Sequence, residues 1–129
     1  MKPREILPPD DPREWLNRAG SNLARAKSRV AGAYLEDHCF DAQQAAEKAI
    51  KAVMISRGID FPYSHDLTHL MSSLESSGQD IPPAVRRAAT LTRYAVQSRY
   101  PSVEPVTEGE YIDALEIAKA VVRWAGEQI

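Results

Sequence analysis

The segment LTRYAVQSRYP, residues 91–101, places arginine and tyrosine side chains at the end of a predicted helix. A guanidinium presents a planar fork of N–H donors that matches a phosphate group, and a tyrosine ring can stack on a base. Pro101 has no amide hydrogen and disfavours helical geometry at the residue before it, so the helix should end there. The segment therefore suggests contact with a nucleotide or RNA. The competing interpretation is a solvated helix face whose arginines pair with acidic side chains.

Helical periodicity predicts how the side chains of this region are arranged. Steps of four, three and four residues join one set of polar residues, Arg86, Thr90, Arg93 and Gln97. On a continuous helix such spacing places all of them on one stripe. Ser98, Arg99 and Tyr100 follow at the end of that stripe. We expect the ligand-contacting residues to be Arg93, Gln97, Ser98, Arg99 and Tyr100.

A second candidate is the segment SHDLTHL, in which His65 and His69 are four residues apart and Asp66 adds a carboxylate. This is metal-ligand spacing, but the sequence has no HExxH motif and no further ligands nearby. A helix-capping Asp66 beside partly exposed histidines explains the same residues. The glycine motifs of phosphate loops, dinucleotide folds and serine hydrolases are also missing. We therefore expect neither a metal site nor a cofactor.

Composition excludes several classes of protein. A formal net charge of −2 argues against a domain held on duplex DNA by bulk charge. Cys39 is the only cysteine, so it forms no disulfide within the chain and fits a reducing compartment. The first residues are charged and proline-rich, and no apolar stretch is long enough to span a membrane. We expect a cytoplasmic protein with no membrane partner.

Apolar residues at steps of three and four predict helices along most of the chain, and no segment alternates as a strand would. Capping and stop signals divide the helices: the cap candidates are Asp10 or Asp11 before Pro12, Asp37 for the second helix, Ser64 or Asp66 for the short helix, and Thr107 with Glu110 for the last. The predicted fold is all-α, an up-and-down antiparallel helical bundle of four long helices plus a short one. Residues 1–10 should be a flexible proline-rich leader, and residues 11–129 a single domain.

Two segments together resemble the HEPN-domain family of bacteria and archaea. DAQQAAEKAIKAVMISRGIDFPYSHDLTHL, residues 41–70, is similar to the family's alanine-rich FxxQQAxEKxxKA helix with its following HDL element. LTRYAVQSRYP is similar to the segment before the family's last helix. The resemblance covers most of the chain after the leader. It implies a helical bundle, usually dimeric and often encoded beside a small nucleotidyltransferase in a toxin–antitoxin module.

Many family members are ribonucleases with an R-x4-6-H motif, often with a tyrosine two residues after the histidine. Arg93 matches the arginine of the motif and Tyr100 matches the tyrosine, but Ser98 occupies the histidine position. Imidazole is a general acid and base near neutral pH, whereas a serine hydroxyl is not. The resemblance therefore implies a degenerate site.

Four functions stay open. The preferred interpretation is a HEPN-type module that binds a nucleotide, RNA or a nucleotidyltransferase partner without efficient catalysis. The alternative is a metal-independent endoribonuclease in which Arg93 stabilises phosphate charge and His65 or another group replaces the motif histidine. In a third, Tyr100 accepts a nucleotidyl group from the partner enzyme. The fourth is a subunit that binds no ligand.

Overall fold

The computed structural model describes residues 3–61, 63–97 and 104–129. Within these ranges the chain is helical and contains no strand. The helices are α1 (Pro12–Lys27), α2 (Leu35–Ser56), α3 (Leu67–Ser76), α4 (Pro83–Arg86), α5 (Thr92–Gln97) and α6 (Glu108–Gln128), and a 3-10 turn (Arg87–Leu91) joins α4 to α5. The predicted all-α bundle is confirmed. None of the helices in the described ranges is both long and apolar enough to cross a membrane.

Three helices, α1, α3 and α6, begin at predicted capping residues. Asp11 accepts a hydrogen bond from the Arg13 amide at 2.9 Å, and Asp66 accepts one from the Thr68 amide at 3.0 Å. Thr107 and Glu110 form the expected capping box. The predicted cap of α2 at Asp37 is wrong, because this helix begins after Tyr34, which makes no side-chain cap. Glu36 and Asp37 instead stand in its first turn, where the positive end of the helix dipole favours them.

The core lies between α1, α2 and α6, with α3 and α5 packed against α2 and α4 packed against α6. Its largest fully buried side chains are Ile50, Met54, Leu67, Leu70, Leu74 and Leu91. Alanines on α2 are fully buried as well, including Ala45, Ala46 and Ala49. Because these side chains are small, the backbones of neighbouring helices can approach closely. Trp124 is part of this core, and Trp15 packs edge-on against Phe61, with ring centroids 5.4 Å apart.

The segment predicted as a fourth long helix is interrupted by the 3-10 turn, which has fewer residues per turn than an α-helix. The expected polar stripe is therefore wrong. Arg86 pairs with Glu75 on α3, whereas Arg93 pairs with Glu110 on α6. Between them, Thr90 donates its hydroxyl hydrogen to the backbone oxygen of Arg87. Arg86 and Arg93 therefore form ion pairs with different helices.

The proline-rich leader contacts α1 along its described part. Arg4 donates two hydrogen bonds to the Glu14 carboxylate, at 2.9 and 3.3 Å, and the Leu7 amide donates a third at 3.2 Å. The indole N–H of Trp15 donates to the backbone oxygen of Pro9 at 2.7 Å. The division into leader and domain at residue 10 stays a prediction.

Candidate functional site

Arg93 lies on α5 with its guanidinium held from two sides. Nη2 donates to the Tyr94 hydroxyl at 2.6 Å and lies 3.2 Å from Oε2 of Glu110 on α6. The guanidinium also lies over the Tyr94 ring, 4.7 Å from its centroid, in a cation–π arrangement. The Arg93 side chain is nevertheless 48% exposed. Arg93 is thus oriented by protein contacts while part of its fork of donors faces solvent.

Tyr94 and Cys39 are buried side chains close to Arg93. Both side chains are almost fully buried, and burial raises the pKa of the Cys39 thiol to about 11. Burial likewise raises the pKa of the Tyr94 hydroxyl. Neither group therefore ionises near neutral pH. In this region the Arg93 guanidinium supplies the positive charge that could meet an anion.

His65 lies in the loop before α3 and is supported by a buried carboxylate. Its Nδ1 lies 2.9 Å from Oε1 of Glu47 on α2, and the His65 side chain is 59% exposed while that of Glu47 is 5% exposed. Burial alone would raise the pKa of Glu47, but hydrogen bonds from His65 and Lys51 outweigh it and hold that pKa below its ordinary value. An ionised carboxylate only accepts, so Nδ1 of His65 carries the hydrogen, and Nε2 on the other side of the ring makes no hydrogen bond to the residues that the structure describes.

Glu47 is the centre of a buried polar group on α2. Lys51 Nζ donates to Oε2 at 3.0 Å, and the Gln43 amide donates to Oε1 at 3.0 Å. The ammonium of Lys51 also lies 5.0 Å from the centroid of the Phe61 ring. The four-residue spacing of Glu47 and Lys51, with the acid first, predicts an ion pair from the sequence alone, and the structure confirms it. The polar type of Gln43 predicts a solvated helix face, which is wrong, because its side chain is fully buried.

A hydrogen bond joins the His65 and Arg93 segments. The backbone amide of Leu67 donates to the Thr92 hydroxyl at 3.1 Å. Leu67 is two residues after His65, and Thr92 is directly before Arg93. The start of α3 therefore lies against the start of α5. The fold brings together two segments that are well separated in sequence.

Other predicted residues are located less completely. Gln97 is the last residue of α5, and its side chain is not described. Ser98, Arg99 and Tyr100 lie outside the described residues, so their roles stay predictions. His69 is exposed on α3 and Asp66 caps that helix, as the simpler interpretation of SHDLTHL predicts. Among the described residues, no group of three or more histidine, cysteine or acidic side chains is placed to hold a metal ion.

Comparison with known proteins settles the family. The family model of the HEPN domain matches residues 12–129 of this chain. The chain belongs to the HEPN family. The crystal structure of TT1696 from Thermus thermophilus matches this HEPN chain with a TM-score of 0.78 and 30% identity, covering 93% of this chain and 99% of that one. The structure of ST0689, described as an archaeal HEPN homologue, matches with a TM-score of 0.73 and 27% identity over 91% and 96% of the two chains. No curated protein in the comparison matches.

This HEPN chain also has an open groove of about 740 Å³ at the carboxyl ends of α2, α3 and α6. It is lined mainly by polar side chains, including Arg57, Gln79, Asp80 and Gln128. The Arg57 guanidinium already donates to Oε1 of Gln79, at 2.8 and 3.1 Å. Glu110, the partner of Arg93, stands at the opposite, amino-terminal end of α6. The groove is thus separate from the Arg93 region.

Sequence reasoning on this HEPN chain missed that Glu47 is buried and contacts His65. A signal was present, because Gln43, Glu47 and Lys51 recur every four residues along α2 among small apolar residues. Such spacing places three polar side chains on one side of a helix that is otherwise largely buried. Buried polar groups need partners. His65 is the one partner of Glu47 that helical spacing could not identify.

Proposed function

We propose that this HEPN protein binds the phosphate of RNA or of a nucleotide through Arg93 and acts without efficient catalysis. The observation that supports this is a guanidinium that is oriented by Tyr94 and Glu110 yet half exposed. Preorganised guanidinium donors are well suited to phosphate, because little side-chain freedom remains to be lost on binding. Gln97, Ser98, Arg99 and Tyr100 complete the proposed site by their position after Arg93 in the sequence.

The biological setting proposed here follows from the family. HEPN domains of this type accompany small nucleotidyltransferases, so we place the chain in a cytoplasmic, toxin–antitoxin-like system with such a partner. A homodimer is part of the same proposal. Transfer of a nucleotidyl group to Tyr100 by the partner is a further possibility for regulation. Mass measurement after incubation with the partner and ATP tests it, and an unmodified Tyr100 would remove it.

The test of binding compares Arg93→Ala with Arg87→Ala. Arg87 also forms an ion pair with an acidic residue of α6, Asp113, and its side chain is similarly exposed. Its substitution therefore removes the same charge and the same kind of ion pair to α6. We expect Arg93→Ala to weaken binding of a single-stranded RNA while Arg87→Ala leaves it nearly unchanged. Equal binding by the native protein and Arg93→Ala would contradict the proposal. Circular dichroism confirms that both variants are folded.

A second candidate is a metal-independent endoribonuclease, which the contact between Glu47 and His65 favours. An imidazole whose Nδ1 hydrogen is held by a carboxylate has Nε2 available to accept a proton from a ribose hydroxyl. Arg93 would then stabilise the charge that develops on phosphate. This candidate predicts RNA cleavage that persists with chelator and is lost in both His65→Ala and Arg93→Ala. If only Ser98→His cleaves RNA, the native site binds without cleaving.

A further inference from the structure

A basic surface covers the seam between α1 and α2. Arg18 and Arg25 are seven residues apart on α1, which is about 10 Å along the helix axis. Asn22 lies between them, and its side-chain oxygen accepts a hydrogen bond from Lys48 Nζ of α2 at 2.7 Å. The lysine therefore lies between the two arginines. We name this set of four residues the seam cluster: Arg18, Asn22, Arg25 and Lys48.

The exposed arginines of the seam cluster pair with acidic side chains that are buried. Glu14 and Asp41 have side chains that are 4% and 9% exposed, whereas Arg18 and Arg25 are 53% and 71% exposed. Arg18 Nε lies 2.7 Å from the Glu14 carboxylate. Arg25 Nε lies at the longer distance of 3.6 Å from Asp41, which also accepts from the Asn22 amide at 3.1 Å. Solvent therefore meets cations, although the whole chain carries a formal charge of −2.

The positive groups of the seam cluster outnumber the carboxylates that neutralise them. Arg4 also binds Glu14, so the two carboxylates Glu14 and Asp41 pair with three arginines, while Lys48 donates to the uncharged side chain of Asn22. Burial lowers the pKa of Lys48, and repulsion from Arg18 and Arg25 lowers it further despite the attraction of nearby carboxylates. A bound anion would offset this repulsion. The cluster thus has the charge and the unused donors of an anion-binding surface.

The seam continues toward Arg93. Arg29, just beyond the end of α1, pairs with Glu108 on α6. Glu108 is two residues before Glu110, which holds Arg93. A polyanion that follows α1 from Arg18 to Arg25 is therefore directed to the end of the bundle at which Arg93 lies. An acidic peptide offers single carboxylates at irregular spacing, whereas a nucleic-acid strand offers one charge per nucleotide in a regular row.

We propose that the seam cluster binds the phosphate backbone of single-stranded RNA whose other end reaches Arg93. This inference rests on the proposed RNA binding and adds a separate surface to it. Arg18, Arg25 and Lys48 contact phosphates, and among the described residues none of the three lies over an aromatic ring that could also stack on a base. Binding at the seam is consequently insensitive to sequence and sensitive to salt.

The test compares Arg25→Gln/Lys48→Gln with a charge-matched control, Lys119→Gln/Arg123→Gln. On α6, Arg123 is exposed and Lys119 is partly exposed, and within the described part of the chain each pairs with an acidic residue of its own helix. The probe is a fluorescently labelled oligouridylate, titrated at several salt concentrations. Loss of two phosphate contacts reduces the slope of log K against log salt by about 1.4 and weakens binding about tenfold near 0.15 M salt. The control should bind as the native protein does.

Each other outcome has a distinct meaning. If the control variant weakens RNA binding as much as the seam variant does, the seam proposal is overturned, since only the net charge of the protein would then matter. If Arg93→Ala weakens binding and the seam variant does not, the proposed function stands and the seam is overturned; the reverse result retains the seam and removes the Arg93 site. No binding of RNA by the native protein overturns both. Tighter binding of poly-glutamate than of RNA, lost in the seam variant, replaces RNA with an acidic protein.

Folding of the double variant is checked by its thermal unfolding. If it is destabilised, the single change Arg25→Gln keeps the test decisive, because this side chain is mostly exposed and its ion pair is long. Loss of one phosphate contact should weaken RNA binding about fourfold near 0.15 M salt. Unchanged binding by a folded Arg25→Gln variant would overturn the seam proposal.

Discussion

Oε1 of Glu47 lies 2.9 Å from Nδ1 of His65, so a buried carboxylate on α2 supports an exposed imidazole in the loop before α3. The same carboxylate accepts a hydrogen bond from Lys51, which is also nearly buried. Glu47 therefore neutralises a buried cation and orients an exposed ring at once. The two contacts should contribute differently to the free energy of unfolding, and separate substitutions can measure each contribution.

Glu47→Gln should lower the free energy of unfolding by about 3 to 5 kcal/mol, because it leaves the ammonium of Lys51 buried without a counter-charge. His65→Ala should lower it by less than about 1 kcal/mol, since the imidazole is mostly exposed. Urea unfolding followed by circular dichroism measures both values. Similar losses in the two variants would show that Lys51 does not depend on Glu47.

Acid should remove a stabilising contribution of Glu14. The hydrogen bond from Arg4 is the largest cause that lowers the pKa of Glu14 to about 2, against an ordinary value of 4.5. A carboxyl with a lowered pKa in the folded state contributes stability that is fully present above the unfolded value and is lost as pH falls through the folded value. The stability difference between the native protein and Glu14→Gln should therefore be constant above pH 4.5 and shrink toward pH 2. A difference independent of pH across this window would contradict the contact with Arg4.

Cys39 should resist alkylation in the folded protein. Its thiol is buried, and its pKa of about 11 leaves almost no thiolate at about pH 8. We expect iodoacetamide to leave the native protein unmodified over a period in which the urea-unfolded chain reacts fully, as intact mass shows. Rapid modification of the native chain would mean that α2 opens near its amino end.

Tyr111 should connect α6 to α1 through its hydroxyl, which donates to the backbone oxygen of Ala26 at 2.6 Å in a buried position. Tyr111→Phe should reduce the free energy of unfolding by about 1 to 3 kcal/mol, because the loss of a buried donor leaves a carbonyl without its partner. Tyr34→Phe is the matched control, since Tyr34 is exposed and its change should stay within about 0.5 kcal/mol. Thermal unfolding distinguishes the two; equal effects would contradict the bond.

The sequence by itself determined the all-α fold and most of the helices, and it matched Arg93 to the family motif. Apolar spacing, capping residues and stop signals are local properties, so the capping box of Thr107 and Glu110 could be predicted correctly, and the caps Asp11 and Asp66 were each one of two predicted candidates. The match of Arg93 to the family motif is equally local. The α2 start was wrong because a helix can begin without a side-chain cap when packing stabilises its first turn.

Tertiary structure decided which side chains meet. The position of His65 beside Glu47 depends on how the loop after α2 returns along that helix, and the hydrogen bond from Leu67 to Thr92 depends on how α3 packs against α5. The 3-10 turn separates Arg86 from Arg93, although their spacing fits one helical stripe. The seam cluster likewise requires α1 and α2 to be neighbours. Periodicity fixes a side chain's direction within its own helix, whereas contacts between helices arise only when the core packs.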